Sequence, residues 1–153
     1  KNLRDLSNNE YLNHLLEELK KLQKELSQIH GYRPIYLKIS PDEPIEALEN
    51  ICKSILDNNL DGIICCNTTI QHDNKNGKGG LSGKPLLKKS TECLKKVREI
   101  IGDEIPIIAS GGVMSAQDFQ EKISTGANLV QVYTGFIFEG PKLIRDILNH
   151  EAN

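Results

Sequence analysis

Two glycine-bearing runs near the C-terminal end of the chain have the make-up of a phosphate grip. They are Ile105-Pro-Ile-Ile-Ala-Ser-Gly-Gly112 and Leu129-Val-Gln-Val-Tyr-Thr-Gly135. Each is an apolar, β-branched run that stops at glycine. Glycine lets backbone N–H groups approach phosphate oxygens, and a following helix N-terminus adds a favourable dipole. Other polar groups stand at the ends of apolar runs. Lys38 lies between Leu37 and Ile39. A lysine in a buried strand must find an anion or an electron-rich partner, because an unpaired buried charge is costly. The competing reading is a strand-end lysine snorkelling to solvent. Asn67-Thr68-Thr69 offers an amide and hydroxyls suited to a small polar substrate; a loop-start turn with side-chain-to-backbone bonds fits the same residues. The cluster Gly79-Gly80-Leu81-Ser82-Gly83 allows close backbone approach to a ligand.

The remaining chemistry-bearing residues are quieter. Cys52, Cys65, Cys66 and Cys93 form no CxxC pair, and no histidine stands at metal-ligand spacing from them. They read as buried free thiols, which implies no metal and a reducing, cytoplasm-facing environment. His72 reads as solvated, and His14, His30 and His150 fall on helices or their ends. No nucleophile–histidine–acid arrangement is evident. The net charge is −2 and the isoelectric point about 6.1, with no basic excess to serve a nucleic-acid partner. Trp is absent and aromatic content is 5%, so no base-stacking platform exists either. No apolar run approaches the roughly 20 residues that span a bilayer. The N-terminus has no apolar signal region and no initiator Met, which suggests a chain that begins inside a longer protein.

The elements that must position these groups alternate between strand and helix. An amphipathic helix is predicted from about Asn9 to Ile29, with Leu12, Leu15, Leu19, Leu22, Leu26 and Ile29 inward and Gly31 as its stop. A short coiled coil is the rival. Strands are predicted at Ile35–Ile39, Gly62–Asn67, Ile105–Ala109 and Leu129–Tyr133. Between them fall a helix started by Asp42 as cap and Pro44, a polar loop from His72 to Gly80 long enough to act as a lid, and a helix from about Lys88 to Ile101. A helix capped by Ser115 is to bury Phe119 and Ile123, and a last helix from Pro141 is to bury Leu143, Ile144, Ile147 and Leu148. Strands apolar on both faces fit a parallel sheet covered by helices. Four β/α units make half of an eight-stranded TIM-type (β/α)8 barrel, with 1–31 as a preceding helix and 32–153 as the four units. A doubly wound sheet is the alternative, but the first turn, Ile39-Ser-Pro-Asp42, has no glycine fingerprint.

These residues resemble one known family. Leu3-Arg4-Asp5-Leu6, Leu37-Lys38-Ile39-Ser40-Pro41-Asp42, Asp61-Gly62-Ile63 with Asn67-Thr68-Thr69, and Gly79-Gly80-Leu81-Ser82-Gly83-Lys84-Pro85-Leu86 match in order. Pro106-Ile107-Ile108 with Gly111-Gly112-Val113, Gly126-Ala127 with Leu129 to Gly135, and Gly140-Pro141 complete the set. The chain is similar to the C-terminal half of class 2, quinone-using dihydroorotate dehydrogenases. The glycine-rich element from Gly79 to Leu86 is the most specific match, and soluble class 1 members differ there.

The resemblance implies an FMN-binding β/α barrel that oxidises dihydroorotate to orotate in pyrimidine synthesis. It implies Lys38, Cys66, Gly83, Gly111, Gly112, Tyr133 and Thr134 as flavin-contacting residues, and Asn67 and Thr68 as the substrate pair. Cys66 departs from the Thr usual there, which would lose a hydroxyl hydrogen bond and keep a backbone contact. The family's catalytic serine is expected upstream of Lys1, so no catalytic residue is expected in this chain, and the isolated chain is expected to be inactive. The implied partners are dihydroorotate, a quinone and the rest of the barrel. The implied location is peripheral, on the cytoplasmic face of a bacterial inner membrane or on the mitochondrial inner membrane. A non-catalytic phosphate- or flavin-binding half-barrel that self-associates through open sheet edges is the alternative.

Overall fold

The computed structural model describes residues 9–73 and 79–151. The Leu-Arg-Asp-Leu element at 3–6 and the middle of the predicted lid, 74–78, lie outside these residues. Four strands form one parallel sheet: β1 Tyr36–Ile39, β2 Gly62–Cys65, β3 Ile107–Ser110 and β4 Leu129–Gln131. Their order in the sheet is their order in the chain. A doubly wound sheet would reverse direction at a switch point; this one does not. Register runs from Lys38 opposite Ile64, through Cys65 opposite Ala109, to Ser110 opposite Gln131. The four strand tips therefore end on one edge, followed by the polar and glycine residues.

Helices α1 Asn9–His30, α2 Ile45–Asp57, α3 Leu87–Ile101, α4 Ala116–Ser124, α5 Thr134–Glu139 and α6 Pro141–Glu151 complete the chain. α1, α2, α3 and α4 pack in sequence, each against the next. The core lies between them and one face of the sheet. Ile39, Ile63, Cys65, Ile107 and Ala109 meet Leu48, Ile51, Ile55, Leu94, Val97 and Ile101 there. Burying each such branched side chain is worth roughly 1.5–3 kcal/mol. The opposite face is not covered as a two-sided apolar pattern would suggest. Ile64 and Ile108 on it are half-buried and Lys38 is exposed.

Several local expectations change. In α1 the core-facing residues are Leu12, Leu16 and Gln23, while Leu19, Leu22, Leu26 and Ile29 are exposed. A leucine stripe at spacings of three and four marks an amphipathic face but not which edge of that face meets the neighbour. Gln23 is buried because its amide donates to Arg33 O at 2.6 Å and Asp61 Oδ2 at 3.1 Å. Asp42 does not cap α2: the N-cap is Pro44, with no side-chain cap bond. The Asp42 carboxylate is drawn across the site end instead, accepting from the Thr69 hydroxyl, Ile70 N–H and Lys89 Nζ. Burial works to raise its pKa, but these donors outweigh it and hold the carboxyl below the usual range. Ser115 does cap α4, accepting from Asp118 N–H at 3.2 Å. That helix buries Asp118 and Lys122, with Phe119 and Ile123 only half-buried. In α6, Leu143 and Ile147 are buried, while Ile144 and Leu148 are exposed. The short α5 is absent from the sequence reading; its six residues are too few to show a period.

Candidate functional site

One cleft of about 230 Å³ opens at the C-terminal ends of the strands. Complete ligand pockets usually run from about 300 to 1,000 Å³, so its size suits part of a cofactor. Lys38 comes from β1, Cys66, Asn67 and Thr68 follow β2, Gly111 and Gly112 follow β3, and Tyr133 and Thr134 follow β4. Gly83 reaches in just ahead of a 3₁₀ turn, Lys84–Leu86, that leads into α3. All nine site candidates of the sequence reading thus line one cleft.

Sequence order alone could not supply how each group is held. Asn67 N–H donates to Ile39 O at 2.8 Å, which ties the β2 tip to β1. Thr68 N–H turns back to Asn67 Oδ1 at 2.9 Å, so the Asn67 side-chain oxygen is engaged within its own turn. Thr69 and Leu81 exchange both backbone hydrogen bonds, at 3.2 and 2.7 Å, so the glycine cluster is clipped over the β2 tip. Ser82 Oγ lies 2.9 Å from Thr134 Oγ1, joining that cluster to the β4 end. Lys38 is exposed, contrary to the buried-charge argument. β1 is one of the sheet's two outer strands, and the face that Lys38 shares with the half-buried Ile64 and Ile108 is the less covered one. Lys38 lines the cleft and has no carboxylate partner among the described residues.

The cleft is donor-rich. Its lining includes one cation, Lys38, with Ser82, Ser110, Thr68, Thr134 and Asn67, and no carboxylate among the described residues. That set suits an anionic group. The glycines at the β3 tip have φ of +107° at Gly111 and +84° at Gly112. At Gly112 an added Cβ would lie 2.4 Å from Leu87 Cα, so the turn packs directly against the start of α3. FMN, with a phosphate at one end, is a group that these residues fit.

Behind the glycine turn lies a polar cluster that sequence reading missed. Lys122 of α4 is fully buried. Its Nζ donates to Ser90 Oγ at 2.6 Å and Thr91 Oγ1 at 2.8 Å. Ser90 Oγ in turn lies 2.8 Å from Gly111 O and 2.9 Å from Leu87 O. Burial pushes the Lys122 pKa down to about 8. The available signal was the spacing of Asp118 and Lys122, four residues apart on the inward face of a short helix. Asp118 accepts from Lys84 Nζ at 2.8 Å and Met114 N–H at 2.9 Å. All four cysteines are buried and unbridged. Hydrogen bonding to Cys93 and then burial push the Cys65 and Cys66 thiols up, and burial pushes Cys52 up to about 11.

The dihydroorotate dehydrogenase family matches residues 1–151. The chain is 47% identical over 155 residues to the dihydroorotate dehydrogenase (quinone) of Vibrio parahaemolyticus, covering 97% of this chain and 46% of that protein. It is 47% identical over 153 residues to that of Shewanella woodyi, covering 95% of this chain and 45% of that one. The solved dihydroorotate dehydrogenase of Eimeria tenella in complex with ferulenol superposes with a TM-score of 0.90 at 31% identity, covering 97% of this chain and 45% of that chain. Its ligand-free form gives 0.88 at 32% identity, with 97% and 46% covered. The chain spans about half the length of the curated relatives it matches. A parallel sheet in chain order, a donor-rich cleft at its strand ends and a family match along nearly every residue lead to one conclusion: this chain belongs to the dihydroorotate dehydrogenase family.

Proposed function

We propose that the chain supplies the C-terminal, phosphate-gripping part of an FMN-dependent barrel that oxidises dihydroorotate. The observation that carries this is the meeting of Lys38 and Asn67-Thr68 with the glycine turn in one cleft. A plain phosphate binder has no use for the first group. When bound, FMN supplies a two-electron acceptor for conversion of dihydroorotate to orotate, with a quinone as onward acceptor. Gly112, Tyr133 and Thr134 would hold its phosphate end through backbone and hydroxyl donors, with Gly83 and Gly111 as further flavin contacts. Lys38 brings a positive charge from the β1 tip, which favours electron density arriving nearby. The Asn67 amide and Thr68 hydroxyl orient a small polar substrate. Cys66, with its raised pKa, stays a neutral thiol and forms an apolar wall, not a base. No proton acceptor is assigned to this chain. In the whole protein, peripheral membrane association would bring the quinone; among the described residues no helix is long and apolar enough to cross a membrane.

The test is flavin titration of the purified chain, followed by quenching of flavin fluorescence. Saturable one-to-one binding is expected, with a yellow protein after desalting. Lys38→Met should weaken FMN, and Asn67→Ala should weaken orotate added to the flavin-loaded chain while leaving FMN affinity within about twofold. A colourless chain with no saturable quenching would overturn the flavin reading.

A further inference from the structure

Lys122 is a fully buried cation with no carboxylate partner among the described residues. Such a charge is expensive, and apolar replacements are often tolerated as well or better. What it touches shows a use for it. An ammonium can only donate. Ser90 Oγ and Thr91 Oγ1 must therefore both accept from it, and their single hydrogens must point elsewhere. Thr91 Oγ1 reaches Leu87 O at 2.9 Å. Ser90 can reach Leu87 O or Gly111 O. Leu87 O already accepts from Thr91 Oγ1 and, at 3.5 Å, from Lys122 Nζ, which together take up its two lone pairs, so we assign the Ser90 proton to Gly111 O, 2.8 Å away.

The Gly111 carbonyl is thereby held toward α3. The peptide bond that follows is trans, since the one cis bond among the described residues is Cys65-Cys66. In a trans peptide the C=O and N–H point in opposite directions. The Gly112 N–H then faces away from α3, on the side of the cleft that Gly112 lines. It finds no backbone acceptor among the described residues.

We propose that Lys122 is a positioning residue for anion capture: acting through Ser90, it fixes the Gly111–Gly112 peptide with its N–H presented to the cleft, over a buried positive charge. This rests on reading the cleft as the seat of a phosphate-bearing cofactor, and it deepens that reading. The ionisable groups that face Lys122 are Cys65 and Cys66 from the β2 end, Cys93 from α3 and Glu121 on its own helix. Burial is the larger influence and lowers its pKa to about 8, so the cation is present at neutral pH and is lost above it.

The experiment uses inorganic phosphate as the probe and amide NMR of the purified chain as the readout. Phosphate should shift the Gly112 amide saturably in the wild type. Lys122→Met and Ser90→Ala should each raise the dissociation constant by about tenfold, the effect of losing one charge-assisted hydrogen bond. The wild-type affinity should also weaken as pH rises through about 8, whereas Lys122→Met should not show that step. A purely structural lysine would lower the melting temperature and leave phosphate affinity unchanged in the folded variants; that result overturns the proposal. If Lys122→Met does not fold, Ser90→Ala decides, because it keeps the lysine and cuts the relay. Absence of any wild-type Gly112 shift overturns it as well. Phosphate binding with both variants impaired, but no FMN binding, would support the lysine's role while refuting the flavin reading.

Discussion

Replacing Gly112 by alanine places a methyl group 2.4 Å from Leu87 Cα and 2.5 Å from Leu87 N. Both are backbone atoms at the start of a fifteen-residue helix, so neither can rotate aside. The φ of +84° adds conformational strain. Left-handed backbone costs an L-residue roughly 1–2 kcal/mol, and overpacking adds typically about 1–3 kcal/mol. The expected loss is therefore about 2–5 kcal/mol. Gly31 is the control. Its φ is +74°, but the nearest atom to an added Cβ is the far end of Arg33, at 3.7 Å. Gly31→Ala should incur the strain alone, roughly 1–2 kcal/mol. Urea denaturation of both variants, with slopes matching the wild type, measures the two losses. The difference between them isolates the close approach of α3 to the glycine turn. If Gly112→Ala loses no more stability than Gly31→Ala, that approach is not what demands glycine at 112, and the description of the turn is wrong.

Other outcomes can be read with similar measurements. Asp42→Asn should cost about 1–2 kcal/mol, and Asp42→Ala more, because Ile70 N–H, Thr69 and Lys89 lose a charged acceptor. The Asp42 pKa is lowered by folding, so its contribution is full above the unfolded value of about 3.9 and fades as pH falls through the folded one; acid titration of stability should be flatter in Asp42→Asn. Ser115→Ala should cost about 1 kcal/mol in thermal melts by removing the α4 cap. Leu129, Ile137 and Phe138 are 61%, 64% and 75% exposed along the β4 side. The purified chain should therefore run above 17.1 kDa on size exclusion, and Ile137→Glu with Phe138→Lys should shift it toward monomer; an unshifted elution would place the contact elsewhere.

Element type and order were readable because each strand is a short β-branched run and each helix carries an apolar period. The nine cleft residues were readable because strand ends must converge in a parallel sheet laid down in chain order. What escaped detection depends on partners distant in sequence. Lys38 looked buried from its flanking leucine and isoleucine, but flanking residues on a strand point to the other face. Asp42 looked like a cap from its place before Pro44, yet Lys89, forty-seven residues later, and Thr69 offered it stronger donors. The stripe from Leu19 to Ile29 looked inward; its exposure follows from where α1 is held, by α2 packing on it and by the bonds of Gln23 to Arg33 and Asp61, with Leu12, Leu16 and Gln23 turned inward. Lys122 was signalled only by its four-residue spacing from Asp118, which is weak because a lysine beside a glutamate on a helix usually marks a solvated face.

The order of the strands has a consequence for cooperativity. Every strand bonds only to its neighbours in the sheet, which are its neighbours in sequence, and α1 to α4 follow the same succession. Stability is then close to a sum of nearest-neighbour couplings, as in a short linear array. Amide exchange should be slowest at the centre, where Ile63 and Ile107 are wholly enclosed, and should quicken toward β4, whose Leu129 faces solvent. The glycine turn after β3 belongs to the slow interior and the Tyr133-Thr134 pair to the fast margin. One ligand bridging the two would join regions that otherwise open independently, so its binding should be felt most in the protection of β4.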